Sequence, residues 1–149
     1  MARSKPFYRI ALYSTNKKSG DNNNSTYHID CPHIRALDTS KSYQFAIEAF
    51  SCINSTLTSL LIDIPTLTQA NSYSTLSQST NQNVLMTWGD NFVRPVLFNT
   101  IGIPLTNIDF MKSSSLQVIF RDVTGVQLTN MTDWCLSFVI WEVQDNEGK

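Results

Sequence analysis

The 149-residue sequence predicts an all-β domain of about eight short strands, folded as a sandwich or a barrel. Three observations point there. Apolar residues alternate with period two in one segment after another. Charged residues make up 15% of the chain, against a usual share of about 25%. The polarity is carried instead by 17 Ser, 15 Thr and 13 Asn, which suit strands and polar loops better than solvated helices. Finally, no window holds a 3.6-residue apolar stripe of helical length, and no internal repeat is visible. With 42% hydrophobic and 11% aromatic residues, a chain of this length can fill a core without staples.

The elements follow in order. Residues 7–14 (FYRIALYS) place Tyr8, Ile10 and Leu12 on one face and Arg9 on the other, which predicts a strand. Residues 17–25 (KKSGDNNNS) form a polar loop with a turn signal at Ser19-Gly20-Asp21. Alternation resumes over 26–31, with Tyr27, Ile29 and Cys31 inward, until Pro32 ends that strand for want of an N–H. From Ser42 to Ile53 the expected inward face is Tyr43, Phe45, Ile47 and Ala49, with Gln44 and Glu48 opposite. Residues 56–64 (TLTSLLIDI) are the next strand, stopped by Pro65.

The run from Gln69 to Asn83 is poor in apolar residues and is expected to be a long exposed loop carrying Tyr73 and Leu76. Residues 83–88 form a short strand before a turn at Gly89-Asp90-Asn91. Between 92 and 114 the pattern is weak. Val93 and Val96-Leu97-Phe98 suggest one strand, Gly102 and Pro104 mark breaks, and 105–112 fit a loop or a helical turn. The end is sharper. Leu116, Val118 and Phe120 alternate, Asp122-Val123-Thr124-Gly125 supplies a turn, and Trp134, Leu136, Phe138 and Ile140 alternate through Glu142. Ile47, Phe120, Leu136 and Phe138 are expected in one core between two sheets. Trp141 falls on the opposite face with Cys135, Val139 and Val143, so either both sheet faces are covered there or an apolar patch is exposed.

Charge excludes several classes. The net charge of −1 gives no general electrostatic case for nucleic acid or an anionic membrane. It is unevenly placed: residues 1–41 hold seven Lys/Arg (Arg3, Lys5, Arg9, Lys17, Lys18, Arg35, Lys41) against Asp21, Asp30 and Asp38, and the remainder is acidic. Such ends could complement each other across neighbouring subunits. The N-terminus has no apolar run, so no secretory signal peptide is expected, and no stretch is long and apolar enough to span a membrane. Cys31, Cys52 and Cys135 are odd in number and lie in apolar contexts, which predicts buried free thiols. N-glycosylation patterns at Asn23, Asn24, Asn54 and Asn130 are expected by chance in a chain this rich in Asn, Ser and Thr.

No catalytic constellation is expected. His28, Asp30 and His33 are near one another, but a zinc site needs four converging ligands and no second pair is present. There is no Gly-x-Ser-x-Gly elbow, the cysteines sit where a thiolate is disfavoured, and five glycines supply no phosphate-cradling loop. The carboxylates Glu48, Asp63, Asp90, Asp109, Asp122, Asp133 and Glu142 are scattered, mostly beside turns, and Asp122 is expected to bind its own turn backbone. Catalytic, metal and cofactor residues are therefore expected to be none.

Pattern alone leaves a meander, an immunoglobulin-like sandwich and a jelly-roll open, the second weakened by the missing Cys…Trp…Cys order. A resemblance narrows this. The segments 26–29 (TYHI), 43–50 (YQFAIEAF), 116–125 (LQVIFRDVTG) and 134–142 (WCLSFVIWE), set after an alternating strand and an Asn/Ser-rich loop, resemble the single jelly-roll penton and minor capsid proteins of large icosahedral double-stranded DNA viruses and their virophage relatives. The likeness is one of strands and turns over most of the chain, with residues 65–114 contributing little. It implies one jelly-roll domain over 1–149, with two antiparallel four-stranded sheets. It also implies a structural protein of the virion, made in the host cytoplasm and acting as a homopentamer at the fivefold vertex. Its partners would be neighbouring major and minor capsid proteins, with no small-molecule substrate, no direct nucleic acid contact and no membrane span. The competing expectations are a jelly-roll binding module, either carbohydrate-binding with Tyr73, Trp88 and Trp141 as platforms or a trimeric ligand of the tumour-necrosis-factor type, and thirdly a small β-barrel enzyme.

Overall fold

Period-two alternation in a chain poor in helix formers leaves extended pairing as the way to satisfy the backbone. In the computed structural model, residues 8–29, 40–53, 60–67, 115–122 and 124–143 are described in full. Residue 59 and residues 71–74, 79–82, 85–88, 96–97 and 103–104 are described as backbone only. The strands are β1 (Tyr8–Tyr13), β2 (Ser19–Gly20), β3 (Asn24–His28), β4 (Tyr43–Cys52), β5 (Ser59–Asp63), β6 (Asn71–Ser74), β7 (Ser79–Gln82), β8 (Leu85–Trp88), β9 (Val96–Leu97), β10 (Ile103–Pro104), β11 (Ser115–Arg121) and β12 (Trp134–Glu142), with one 3₁₀ turn at Ser14–Asn16.

Two antiparallel sheets carry the fold. In the first, β12 lies between β1 and β4, and the short β9 and β10 share the far edge of β4. In the second the order is β2-β3-β11-β5-β8. With β2 as a two-residue addition to β3, and β9 and β10 as one interrupted edge strand, eight strands remain. They pair first with last (β1·β12), second with seventh (β3·β11), third with sixth (β4·β9/β10) and fourth with fifth (β5·β8). Such nested pairing is a long hairpin rolled onto itself, and it is the jelly-roll arrangement.

The segment expected as a loop over 69–83 differs. There β6 and β7 pair as a separate ribbon, Asn71 opposite Gln82 through Ser74 opposite Ser79. Ladder hydrogen bonds need no apolar side chains, so a Ser/Thr/Asn/Gln run reads as loop by composition and still pairs. The loop expected over 17–25 likewise contains β2, and β3 starts at Asn24. At Gly20 φ is +88°, and a Cβ there would run into the Asn24 carbonyl oxygen, so this turn requires glycine. Pro104 closes β10 instead of breaking it, which an edge position permits. The expectations for Asp30, Cys31, Pro32, His33, Val93, Phe98, Gly102 and 105–112 lie outside the described residues.

The core lies between the sheets. Ile47, Phe120, Leu136 and Phe138, expected there, are each at most 1% exposed. Phe120 is the hub, its ring 4.9 Å from Trp134 and 5.5 Å from Phe50, and Phe138 meets Phe45 edge-on at 6.4 Å. These offset and edge contacts add to the burial term. The expected inward face of β4 holds only to Ile47. Phe138 pairs with Ile47 and Ser137 with Ala49, so Glu48 is an extra residue in a β-bulge. Beyond it the alternation inverts: Phe50 and Cys52 are buried in the core, and Ala49 is half-buried opposite Ser137. Glu48 Oε2 instead accepts from Arg9 Nε at 2.7 Å on the outer face.

That outer face is also covered in part. Trp141 is 4% exposed and packs with Ala46 and Val139 in a second cluster. Of the two arrangements open at Trp141, the structure has the covered one.

Candidate interaction surface

The antiparallel pairings bring one set of strand ends together. Tyr13 at the end of β1 pairs with Cys135, Cys52 at the end of β4 pairs with Trp134, and Asn24 at the start of β3 pairs with Ile119 near the end of β11. This rim of the sandwich therefore carries residues 13–24, 52–53, 121–122 and 124–134.

A polar network knits these connections. Ser14 is 1% exposed; its Oγ accepts from Trp134 N and donates to Asp133 Oδ1, both at 3.0 Å. Asn22 Nδ2 donates to Asp133 Oδ1 at 3.3 Å, and Trp134 Nε1 donates to Asn22 O at 2.9 Å. Lys17 Nζ donates to Ser14 O and to Asn22 Oδ1 at 3.0 and 3.2 Å. Asn23 Oδ1 accepts from Met131 N at 2.9 Å, and Thr132 Oγ1 donates to Ile53 O. Buried polar groups that all find partners hold loops as rigidly as strands.

Two aspartates organise the turns. Asp21 Oδ1 accepts from the backbone N–H of Asn23 and Asn24, which hold its carboxyl below the usual value. Asp122 Oδ1 accepts from the Thr124 hydroxyl and from the N–H of Thr124 and Val126, and the same bonds lower its carboxyl. The turn expected at 122–125 thus has its expected mechanism, with Gly125 at φ +89°.

On this rigid rim sit Tyr13, Ile53 and Val126, 50%, 57% and 62% exposed, the exposed large hydrophobics among the described residues. A cleft of about 230 Å³ is lined by Tyr13 and Ile53 together with Ser51, Cys52, Asp133 and Cys135. The exposed side chains of this rim include the neutral Thr15, Asn16, Ser19, Thr124, Thr129 and Asn130 and the charged Lys18, Asp21 and Asp133. Apolar points among mostly neutral side chains are a composition common at protein contacts.

Of the residues singled out for chemistry, those that are described are not gathered into a site. His28 is exposed on the outer side of β3, while Asp30 and His33 lie outside the described residues. Among the described residues, no three His, Cys, Asp or Glu come together where a metal could sit. Cys52 is buried and Cys135 is half-buried on the opposite face of the sheet, less buried than expected, and neither is in a disulfide. Trp141 offers no exposed ring for a sugar, and the side chains of Tyr73 and Trp88 are outside those described. The Ser14–Asn22–Asp133 network was not foreseeable from local pattern, since Asp133 is more than a hundred residues from Ser14 and Asn22. The Asp21 and Asp122 turns carried a local signal in their neighbouring glycines. Among the described residues, no helix is long and apolar enough to cross a membrane.

No family model matches the chain, and no curated protein sequence matches it.

Proposed function

We propose that this protein is a structural jelly-roll of an icosahedral double-stranded DNA virus capsid, a penton or minor capsid component that works as a homopentamer in contact with neighbouring capsomers. The observation that carries the proposal is the sandwich rim: three exposed apolar side chains on hydrogen-bonded connections, set mostly among Ser, Thr and Asn. Neutral hydroxyl and amide side chains are buried between subunits at lower desolvation cost than Lys or Glu. The resemblance in strand and turn pattern supports the capsid assignment. A jelly-roll presents its connections at the two ends of the sandwich, and the exposed large apolar side chains among the described residues gather at one of these ends.

A head-to-tail contact closes into a ring when the rotation between subunits allows. The test is imaging of the intact particle at its vertices, together with native mass spectrometry of the concentrated protein. A ring of five built from this chain is the expected result. The chain absent from the particle, or present there only as isolated copies, overturns the proposal.

A further inference from the structure

We propose that the Asp63–Arg121 ion pair is an acid-sensitive latch that fastens the loop between β11 and β12 to the second sheet.

Asp63 closes β5 and points to the outer side of the sheet, where it is only 5% exposed. Its setting is apolar. Ile119, directly opposite, is 7% exposed, and Leu61, next on the same side of the strand, is fully buried. Arg121 is the last residue of β11, and its guanidinium spans two structures. Nε meets Asp63 Oδ2 at 3.3 Å, while Nη1 donates to the carbonyl oxygen of Gly125 at 3.3 Å. The carboxylate thus holds the arginine, and the arginine holds the turn. Beyond the turn, Leu128 N donates to Phe120 O at 2.9 Å, and Met131 anchors the loop's far end in the core.

Burial pushes the Asp63 carboxyl above its ordinary value of 3.8, and the pull of Arg121 offsets this only in part. Among the described residues Arg121 is the charged group that faces Asp63 from β11; Asp122 turns its carboxylate into its own turn. Acidification therefore protonates Asp63 while Asp122, whose carboxyl is lowered, stays ionised and keeps the turn's internal bonds. A neutral acid holds a guanidinium less firmly than a carboxylate does. Arg121, 28% exposed at its side chain, is free to turn to water and release Gly125.

The sign distinguishes this release from unfolding. A carboxyl whose folded pKa is raised binds its proton more tightly in the folded state, so its contribution to stability grows as pH falls through that range. The loop loosens while the sandwich stands. This holds whether or not the rim meets another subunit.

Nuclear magnetic resonance from neutral pH to about pH 3 reads both ends of the latch. The Asp63 side-chain carboxyl should titrate above 3.8, and the Gln127 and Leu128 amides should shift with the same midpoint and lose protection several-fold, while Val126, still bonded to Asp122, keeps its protection. In Asp63→Asn that midpoint should vanish from the loop. In Arg121→Gln, which removes the tether at every pH, the loop should be loose already at neutral pH and show no further response; this variant serves if Asp63→Asn does not fold. A loop titration that persists unchanged in either variant, or an Asp63 titration that the loop amides do not follow, overturns the latch.

Discussion

The Ser14 hydroxyl donates to Asp133 Oδ1 at 3.0 Å and at the same time accepts the backbone N–H of Trp134, so one small side chain after the first strand fixes the start of the last. Ser14→Ala leaves the Trp134 N–H without that acceptor in a site 1% exposed. The expected loss is about 1–3 kcal/mol, read as a lower urea midpoint at unchanged slope. A loss below a few tenths of a kcal/mol would mean that water or another acceptor replaces the hydroxyl.

Phe138 is fully buried against Phe45 between the sheets. Truncation to Ala should cost about 3–5 kcal/mol by denaturant titration. A change below about 1 kcal/mol would contradict its place in the core.

The β-bulge makes a sharper prediction. Deleting Glu48 removes the extra residue between Ile47 and Ala49 and leaves an unbroken alternation, with Ile47 still opposite Phe138, Ala49 opposite Ser137 and Phe50 opposite Leu136. Phe50 and Cys52 would keep their places in the core. The deletion should therefore retain the cooperative thermal transition seen by near-ultraviolet circular dichroism, whereas one alanine inserted between Ala49 and Phe50, a slip that turns Phe50 and Cys52 outward, should abolish it.

Asp122 sets an acid limit. Its carboxyl is lowered below 3.8 by the Thr124 hydroxyl and the turn's N–H groups. A lowered carboxyl contributes stability that is full above the unfolded value and is lost as pH falls through the folded one. Asp122→Ala should therefore cost about 1 kcal/mol at neutral pH, a figure kept small because the turn is open to solvent. The gap to the parent protein should close in acid below the ordinary carboxylate value. Stability curves of both proteins against pH check it; a gap independent of pH contradicts the bonds assigned to the carboxylate.

The strands visible in the sequence are those that bury one face. Ile10 and Leu12, or Leu116, Val118 and Phe120, alternate because one side of each strand meets the core. At Ala49 the same logic fails, because a bulge is a property of the pairing between Ser137 and Phe138 and leaves no trace in β4 read alone. The β6–β7 ribbon was hidden for the opposite reason: its run is mostly Ser, Thr, Asn and Gln, which gives no apolar period, while its backbone pairs in regular register. Trp141 could not be decided locally, since Val139, Ile140 and Trp141 are apolar on both sides of the strand. The rim was legible only at Asp21 and Asp122, whose turns are short-range. Its remaining ties join Asn22 to Asp133 and Asn23 to Met131, and only the folded chain brings these together.

The nested pairing has a consequence in time. β12 is the shared neighbour of β1 and β4, so the first sheet has no middle until the final strand arrives. During synthesis, Tyr8 through Tyr13 must wait for partners at Cys135 through Ile140, made more than a hundred residues later in the latest of the described strands. Long-range antiparallel pairing of this kind makes folding slow and leaves apolar strands exposed meanwhile. A nascent chain stalled before residue 134 would hold β4 without its central partner and remain a client for chaperones, and release of the last strand would be the event that commits it to the roll.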